Sequence, residues 1–136
     1  EPPLLLQAAL RRCARYDELL RPALLVQEGN PGVAATLVMV LGREFKVVTS
    51  NHPDQTRELL ASEMFEGFIT ELESRNGPDG PAMVRVAKLL QPGIRTFLTS
   101  IHPVAAAMLA ETDSAAIEKP FDVAKLTALV RERLAS

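Results

Sequence analysis

The chain has 136 residues, of which 47% are hydrophobic and 24% charged, and its formal net charge is −2. This length suits one compact domain, and the near balance of charge excludes a strong field that would attract nucleic acid or a membrane surface. The single cysteine, Cys13, excludes an internal disulfide framework and fits a reducing compartment, the cytoplasm. No apolar run approaches the ~20 residues that span a bilayer.

An amphipathic helix is predicted at 4–21, because Leu6, Leu10, Cys13 and Leu20 recur at helical spacing. After Pro22, short apolar runs alternate five times with helical segments. The runs that predict buried strands are ALLVQ (23–27), FKVVT (45–49), GFIT (67–70), IRTFL (94–98) and AAIE (115–118). The predicted helix starts are Asn30-Pro31, His52-Pro53, Pro81, Pro103 and Asp122.

This alternation predicts an α/β fold, a doubly wound parallel sheet of five strands with helices on both faces and an extra N-terminal helix. We assign residues 1–21 to a helix or linker and 22–136 to the domain. The chain starts at Glu1 without a signal-peptide pattern, so we expect a piece of something longer. Chemistry in such a fold belongs at the carboxyl ends of the strands.

Three motifs lie at those ends: IEKPFDVAKLTALVRERL, FLTS at 97–100, and FEGFITEL followed by GPDG. With these motifs, the stretch from about Pro22 to Leu134 resembles the receiver domains of two-component response regulators. The resemblance implies a flavodoxin-like (βα)5 fold and a bacterial, cytoplasmic signalling protein. It also implies a protein partner, such as a signalling kinase, an output domain or a second copy of the chain, without nucleic acid or membrane.

Five positions carry the chemistry of the family, and they fall on Gln27 and Glu28 (the acidic metal pair), Glu71 (the acceptor aspartate), Thr99 (the hydroxyl) and Lys119. Only the hydroxyl and the lysine match the family's pattern. The neutral amide of Gln27 replaces one carboxylate of the metal pair. The side chains of Glu28 and Glu71 are longer than that of aspartate by one bond, about 1.5 Å. Mg²⁺ demands near-ideal geometry from its oxygen ligands. We therefore expect no cofactor and no bound magnesium.

Two interpretations of Glu71 stay open. Its longer arm could place a carboxylate where a phosphoryl oxygen would lie, held permanently by Lys119 and Thr99. The pocket could equally be degenerate, with Glu71 a solvated loop carboxylate. The switch position three residues before the lysine, aromatic in many family members, is Ala116 here, which has no ring to swing inward.

Other polar residues have simpler interpretations. His52 and His102 each precede a proline at a predicted helix entry, and with one cysteine a transition-metal site is not expected. Asp79, in Gly77-Pro78-Asp79-Gly80, is predicted at the centre of a turn.

The helix GVAATLVMVLG carries no charge, so an outer face with Val38 and Met39 requires a cover. We expect the N-terminal helix to provide it through Leu6 and Leu10, from the same chain or from a dimer mate. Met108, in the alanine-rich segment PVAAAMLA, is a further interface candidate.

These residues predict a degenerate pseudo-receiver that acts by binding partners, independently of phosphorylation, and is not an enzyme. An atypical phosphoacceptor using Glu71 or Thr70 is the alternative. A small α/β enzyme using Glu28, Glu71 and Lys119 ranks last, since no nucleophile–base pair accompanies these residues.

Overall fold

The computed structural model describes residues 3–9, 20–74 and 77–136. In this part of the chain, five parallel strands form one sheet in the order β2-β1-β3-β4-β5. They are β1 (Ala23–Gln27), β2 (Lys46–Ser50), β3 (Gly67–Glu71), β4 (Arg95–Ser100) and β5 (Ser114–Glu118). The helices that follow them are α1 (Pro31–Leu41), α2 (Pro53–Ser62), α3 (Gly80–Leu90), α4 (Ala106–Thr112) and α5 (Val123–Ala135). The flavodoxin-like (βα)5 prediction is confirmed.

Three predicted helix starts are confirmed by their caps. Asn30 accepts hydrogen bonds from the amides of Gly32 and Val33, and His52 accepts one through Nδ1. Asp122 accepts from the amide of Lys125. Each side chain satisfies an amide of the first helical turn that has no partner within the helix.

Two predicted boundaries are wrong. Asp79 is not at the centre of a turn, because its carboxylate accepts a hydrogen bond from the amide of Ala82 and caps α3. Its extended backbone lets a short acidic side chain fold back over the first turn of the helix. The next helix begins at Ala106 rather than directly after Pro103, and its start has no side-chain cap.

The core lies on both faces of the sheet because neighbouring strand residues point to opposite sides. Leu24 and Val26 of β1 pack with α1 and α5, whereas Leu25 packs with α2 and α3. Phe97 is fully buried on the first side and Phe68 on the second. The helices thus cover the two faces of the central strands, as the alternating pattern predicts.

Backbone pairing continues past the strand ends at the carboxyl edge. The amide of Glu28 donates to the carbonyl of Ser50 (3.0 Å), and the amide of Lys119 donates to that of Ser100 (2.8 Å). Glu71 is the last residue of β3 and pairs in register with Thr99. These bonds align the ends of β1, β3, β4 and β5, so their polar side chains share one edge.

The N-terminal segment differs from the expectation. Residues 4–9 are helical, but Leu6 is 49% exposed and Met39, on α1, is 65% exposed. Docking of Leu6 onto its own chain, one of the two expected arrangements, is therefore not seen in the described segment, and docking onto a dimer mate stays a prediction. Leu10 and Cys13 lie outside the described residues. None of the described helices is long and apolar enough to cross a membrane.

Candidate functional site

Glu28, Glu71 and Lys119 meet at the carboxyl edge of the sheet. Nζ of Lys119 lies 2.8 Å from Oε1 of Glu28 and 3.4 Å from Oε1 of Glu71. Glu28 is only 3% exposed, and the other two side chains are half-buried. Lys119 therefore lies within ion-pair distance of both carboxylates. We call these three residues the carboxylate–lysine site.

Burial dominates the acid–base behaviour of Glu28. The pKa of Glu28 is raised to about 7, first by burial and then by a hydrogen bond with Glu71, while the Lys119 ammonium acts in the lowering direction. Oε2 of Glu28 has no hydrogen-bond partner among the described residues. A proton on this carboxyl makes it a donor towards Glu71, which explains how two carboxyl groups share one ammonium near neutral pH.

The pKa of Glu71 shifts in the opposite direction, below its ordinary value. Burial alone would raise its pKa, but the hydrogen bond with Glu28, the charge of Lys119 and the backbone of Gly29 together lower it. Glu71 is therefore the ionised member of the pair. The interpretation of Glu71 as a freely solvated loop carboxylate does not fit these contacts.

The other three predicted positions, Thr99, Gln27 and Ala116, make no side-chain contact with the carboxylate–lysine site that the structure records as a hydrogen bond. Thr99 is buried beside Glu71, but its hydroxyl makes no hydrogen bond within the described part of the chain, so the Thr99–Glu71 bond of the first interpretation of Glu71 is absent there. The amide oxygen of Gln27 is buried and lacks a partner among the same residues. Ala116 is half-buried in β5, paired in register with Leu98.

Two glycines that the sequence analysis did not single out shape the site. A Cβ at Gly29 would lie 3.8 Å from Oε2 of Glu71, so the chain after β1 runs close to this carboxylate. A Cβ at Gly80 would lie 2.2 Å from the carbonyl oxygen of Glu71, so the start of α3 packs directly on the end of β3. The available signals were Gly29, directly after Glu28, and Gly80, the last residue of the GPDG sequence, where α3 begins.

The donor set does not suit the magnesium ion of receiver domains. Gln27 offers a neutral oxygen, and the Lys119 ammonium already contacts both carboxylates that a dication would need. Within the described ranges, no group of three or more His, Cys, Asp or Glu side chains is placed to hold a metal ion.

Two of the interface candidates, Val38 and Met39, line a groove that Glu28 and Gly29 of this site also line. Val38 and Met39 are exposed on the outer face of α1, and Met108 is half-buried on α4.

No model of a protein family matches the sequence, and none of the curated proteins matches it. Solved structures do match. A response regulator receiver protein from Sinorhizobium medicae WSM419 is 24% identical, with a TM-score of 0.75 over 87% of this chain and 98% of that one. The signal receiver domain of an HD domain-containing protein from Pseudomonas fluorescens Pf-5 is 21% identical, with a TM-score of 0.75 over 85% and 95% of the two chains.

A CheY-like response regulator receiver domain protein from Methanospirillum hungatei JF-1 is 15% identical, with a TM-score of 0.76 over 84% of this chain and 94% of that one. At these identities the likeness establishes the fold. The chain has the fold of receiver domains along nearly the whole length of its structural neighbours.

Proposed function

We propose that this chain is a signalling module of the receiver type that acts by binding a protein partner, independently of phosphorylation. The single observation that carries the proposal is the contact of Lys119 with both Glu28 and Glu71. By resemblance, Lys119 is the residue that contacts the phosphoryl group, and here its ammonium is engaged by two carboxylates of the protein itself.

The physical argument concerns charge and position. Phosphoryl transfer depends on in-line positioning and on cations that neutralise the developing charge. The acceptor position holds Glu71, whose pKa is lowered by its neighbours and whose ion pair would have to be disrupted. The acidic pair is reduced to Glu28, which is buried and holds a proton up to about neutral pH because burial raises its pKa to about 7. The changes at Glu71 and at Glu28 each weaken both metal binding and phosphoryl transfer.

The same contacts favour a permanently held pocket over an empty one. The Glu71 carboxylate stands in for a phosphoryl oxygen, as a constant partner of Lys119 at 3.4 Å. Thr99 takes no part in this contact, and Ala116 offers no ring to couple the pocket to the surface. The module therefore holds one conformation, and its binding surface is available constitutively.

The alternatives have less support. Thr70, the other acceptor candidate, is 1% exposed within β3 and presents no hydroxyl to a phosphodonor. For a small enzyme, the serines near the carboxylate–lysine site, Ser50 and Ser100, contact the backbone of His52 and His102 and not their rings, so the described residues offer no nucleophile–base pair there. The partner is a signalling kinase, an output domain or a second copy of the chain.

A phosphorylation assay tests the proposal. The chain is incubated with Mg²⁺ and acetyl phosphate, and its intact mass is measured beside that of a receiver domain that retains its acceptor aspartate. We expect phosphate on the reference domain only. A phosphorylated wild-type chain would contradict the proposal.

The role of Glu71 in holding Lys119 and the pocket in one conformation is tested separately by NMR. Glu71→Gln keeps the size of the side chain and removes its charge, so we expect shifts at Lys119 and along β5. Glu73→Gln, at an exposed carboxylate two residues further on, is the matched control. Equal spectra for wild type and Glu71→Gln at Lys119 would show that Glu71 does not hold the pocket.

A further inference from the structure

We propose that the outer face of α1 is a homodimer interface that receives the leucine-rich segment Leu4–Leu6 of a second copy. This goes beyond the proposed function, since it identifies one surface and its occupant. The surface is a groove of about 640 Å³ at the β2 edge of the sheet. One wall is the stripe Ala34, Ala35, Val38 and Met39, and the other is the end of β2 with Gln55; we call it the α1 groove.

The α1 wall of the groove is apolar, whereas a solvent-exposed helix face is normally polar, and the opposite wall carries the polar side chains of Thr49, Ser50, Asn51 and Gln55. No residue of α1 is charged, and its inner face, with Leu37, Val40 and Leu41, already packs in the core. Val38 is nevertheless 40% exposed and Met39 65% exposed. A helix that is apolar on all sides is stable in water when both faces are covered.

The segment Leu4–Leu6 also exposes apolar side chains that nothing in the described structure covers. Leu4 and Leu5 are 79% and 83% exposed, and the segment lies in the helical turn 4–9. Three consecutive leucines on a helix spread over about 200° of its circumference. Such a wide apolar arc fits between two walls better than on a flat face.

The occupant comes from a second copy because the chain does not cover itself. In the described structure the leucines and Met39 are exposed together, so neither surface shields the other. Reciprocal exchange across a two-fold axis covers both grooves and both segments and leaves no free surface for a third chain.

Charge supports the same pairing. Glu58 is exposed on α2, three residues after Gln55 and hence on the helix face that borders the α1 groove. The sequence that follows the leucines contains Arg11, Arg12 and Arg15. The arginines after the leucines and the Glu58 carboxylate near the groove carry opposite charges, which favours one orientation of docking.

The first experiment measures mass by light scattering at several chain concentrations. Wild type is expected to be dimeric, and Met39→Asp and Leu5→Asp should each raise the dissociation constant of the dimer by roughly tenfold or more. Leu89→Asp, at an 82% exposed leucine on α3, is the matched control and should leave the dimer unchanged. A monomeric wild type, or a dimer insensitive to both substitutions, would overturn the proposal.

The second experiment distinguishes exchange from docking within one chain. In a Cys13→Ser background, Leu5→Cys and Met39→Cys are combined and the thiols are oxidised to a disulfide with oxidised glutathione. Exchange yields a covalent dimer on a denaturing gel, whereas Leu5→Cys with Leu89→Cys does not. An intrachain disulfide between positions 5 and 39, or no cross-link, would refute the exchange.

Discussion

Lys119 and Glu28 are 91 positions apart in the chain, yet their side chains meet at 2.8 Å. They follow β5 and β1, which are separated in the sheet by β3 and β4. Three strand spacings correspond to about 14 Å, so both long side chains must extend over the ends of the intervening strands. The Glu71 carboxylate, at the end of β3, lies within reach of the same ammonium at 3.4 Å.

Removal of the ammonium should destabilise the fold. Lys119→Met keeps the aliphatic stem but leaves Glu28 and Glu71 without a cation, and breaking such a pair costs about 3 kcal/mol. The loss should be smaller at about pH 5, where Glu28 carries a proton because burial raises its pKa to about 7. Urea unfolding at about pH 5 and about pH 8 measures both values.

The matched control for this variant is Lys125→Met, at an exposed lysine of α5. Its free energy of unfolding should change by no more than about 0.5 kcal/mol at either pH. A Lys119→Met chain as stable as this control would show that the ion pair contributes nothing.

Stability should fall as pH rises from about 4.5 to about 7. Native Glu28 keeps its proton up to a pKa of about 7, whereas the unfolded chain releases it near the ordinary 4.5. The native state therefore binds more protons in this window, and the free energy of unfolding decreases by on the order of 2–3 kcal/mol before levelling off above pH 7.

The measurement compares wild type with Glu28→Gln, which should abolish this slope, while Glu118→Gln, at an exposed carboxylate, should retain it. The lowered pKa of Glu71 works in the opposite sense, because its contribution is lost as pH falls below 4.5. The titration is therefore kept above that value. A slope that survives in Glu28→Gln would assign it to another group.

Gly80→Ala should be strongly destabilising. The added Cβ would lie 2.2 Å from the carbonyl oxygen of Glu71 and 2.9 Å from Cα of Leu72, and backbone atoms cannot rotate away as a side chain can. We expect a loss of about 2–3 kcal/mol by urea unfolding. Gly93→Ala meets no atom within 4 Å and should be nearly neutral. Equal stabilities would show that α3 shifts away from β3 without cost.

Magnesium should not saturate the carboxylate–lysine site. We expect an NMR titration at low millimolar Mg²⁺ to give no saturable shifts at Glu28 or Glu71, since the Lys119 ammonium contacts one oxygen of each carboxylate and Gln27 supplies no charge. The triple variant Gln27→Asp, Glu28→Asp and Glu71→Asp shortens the arms and restores the missing charge, so it should gain binding. Saturation in wild type would contradict the expectation.

Local signals determined the fold from the sequence alone. Apolar strand runs, proline-marked helix starts and caps such as Asn30 and Asp122 depend on neighbours within a few residues, so the elements were placed correctly to within one to three residues at the ends compared. The resemblance also placed Gln27, Glu28, Glu71, Thr99 and Lys119 near one edge of the sheet.

Only the tertiary structure decided how those side chains are partnered. Lys119 lies closer to Glu28 than to Glu71, and the Thr99 hydroxyl hydrogen-bonds to neither carboxylate. These contacts depend on distances across four strands, which no local sequence pattern encodes. The same holds for the tight contact at Gly80 and for the exposed face of α1. Sequence periodicity identifies an apolar surface, but the geometry of the assembled elements determines whether the chain can cover it.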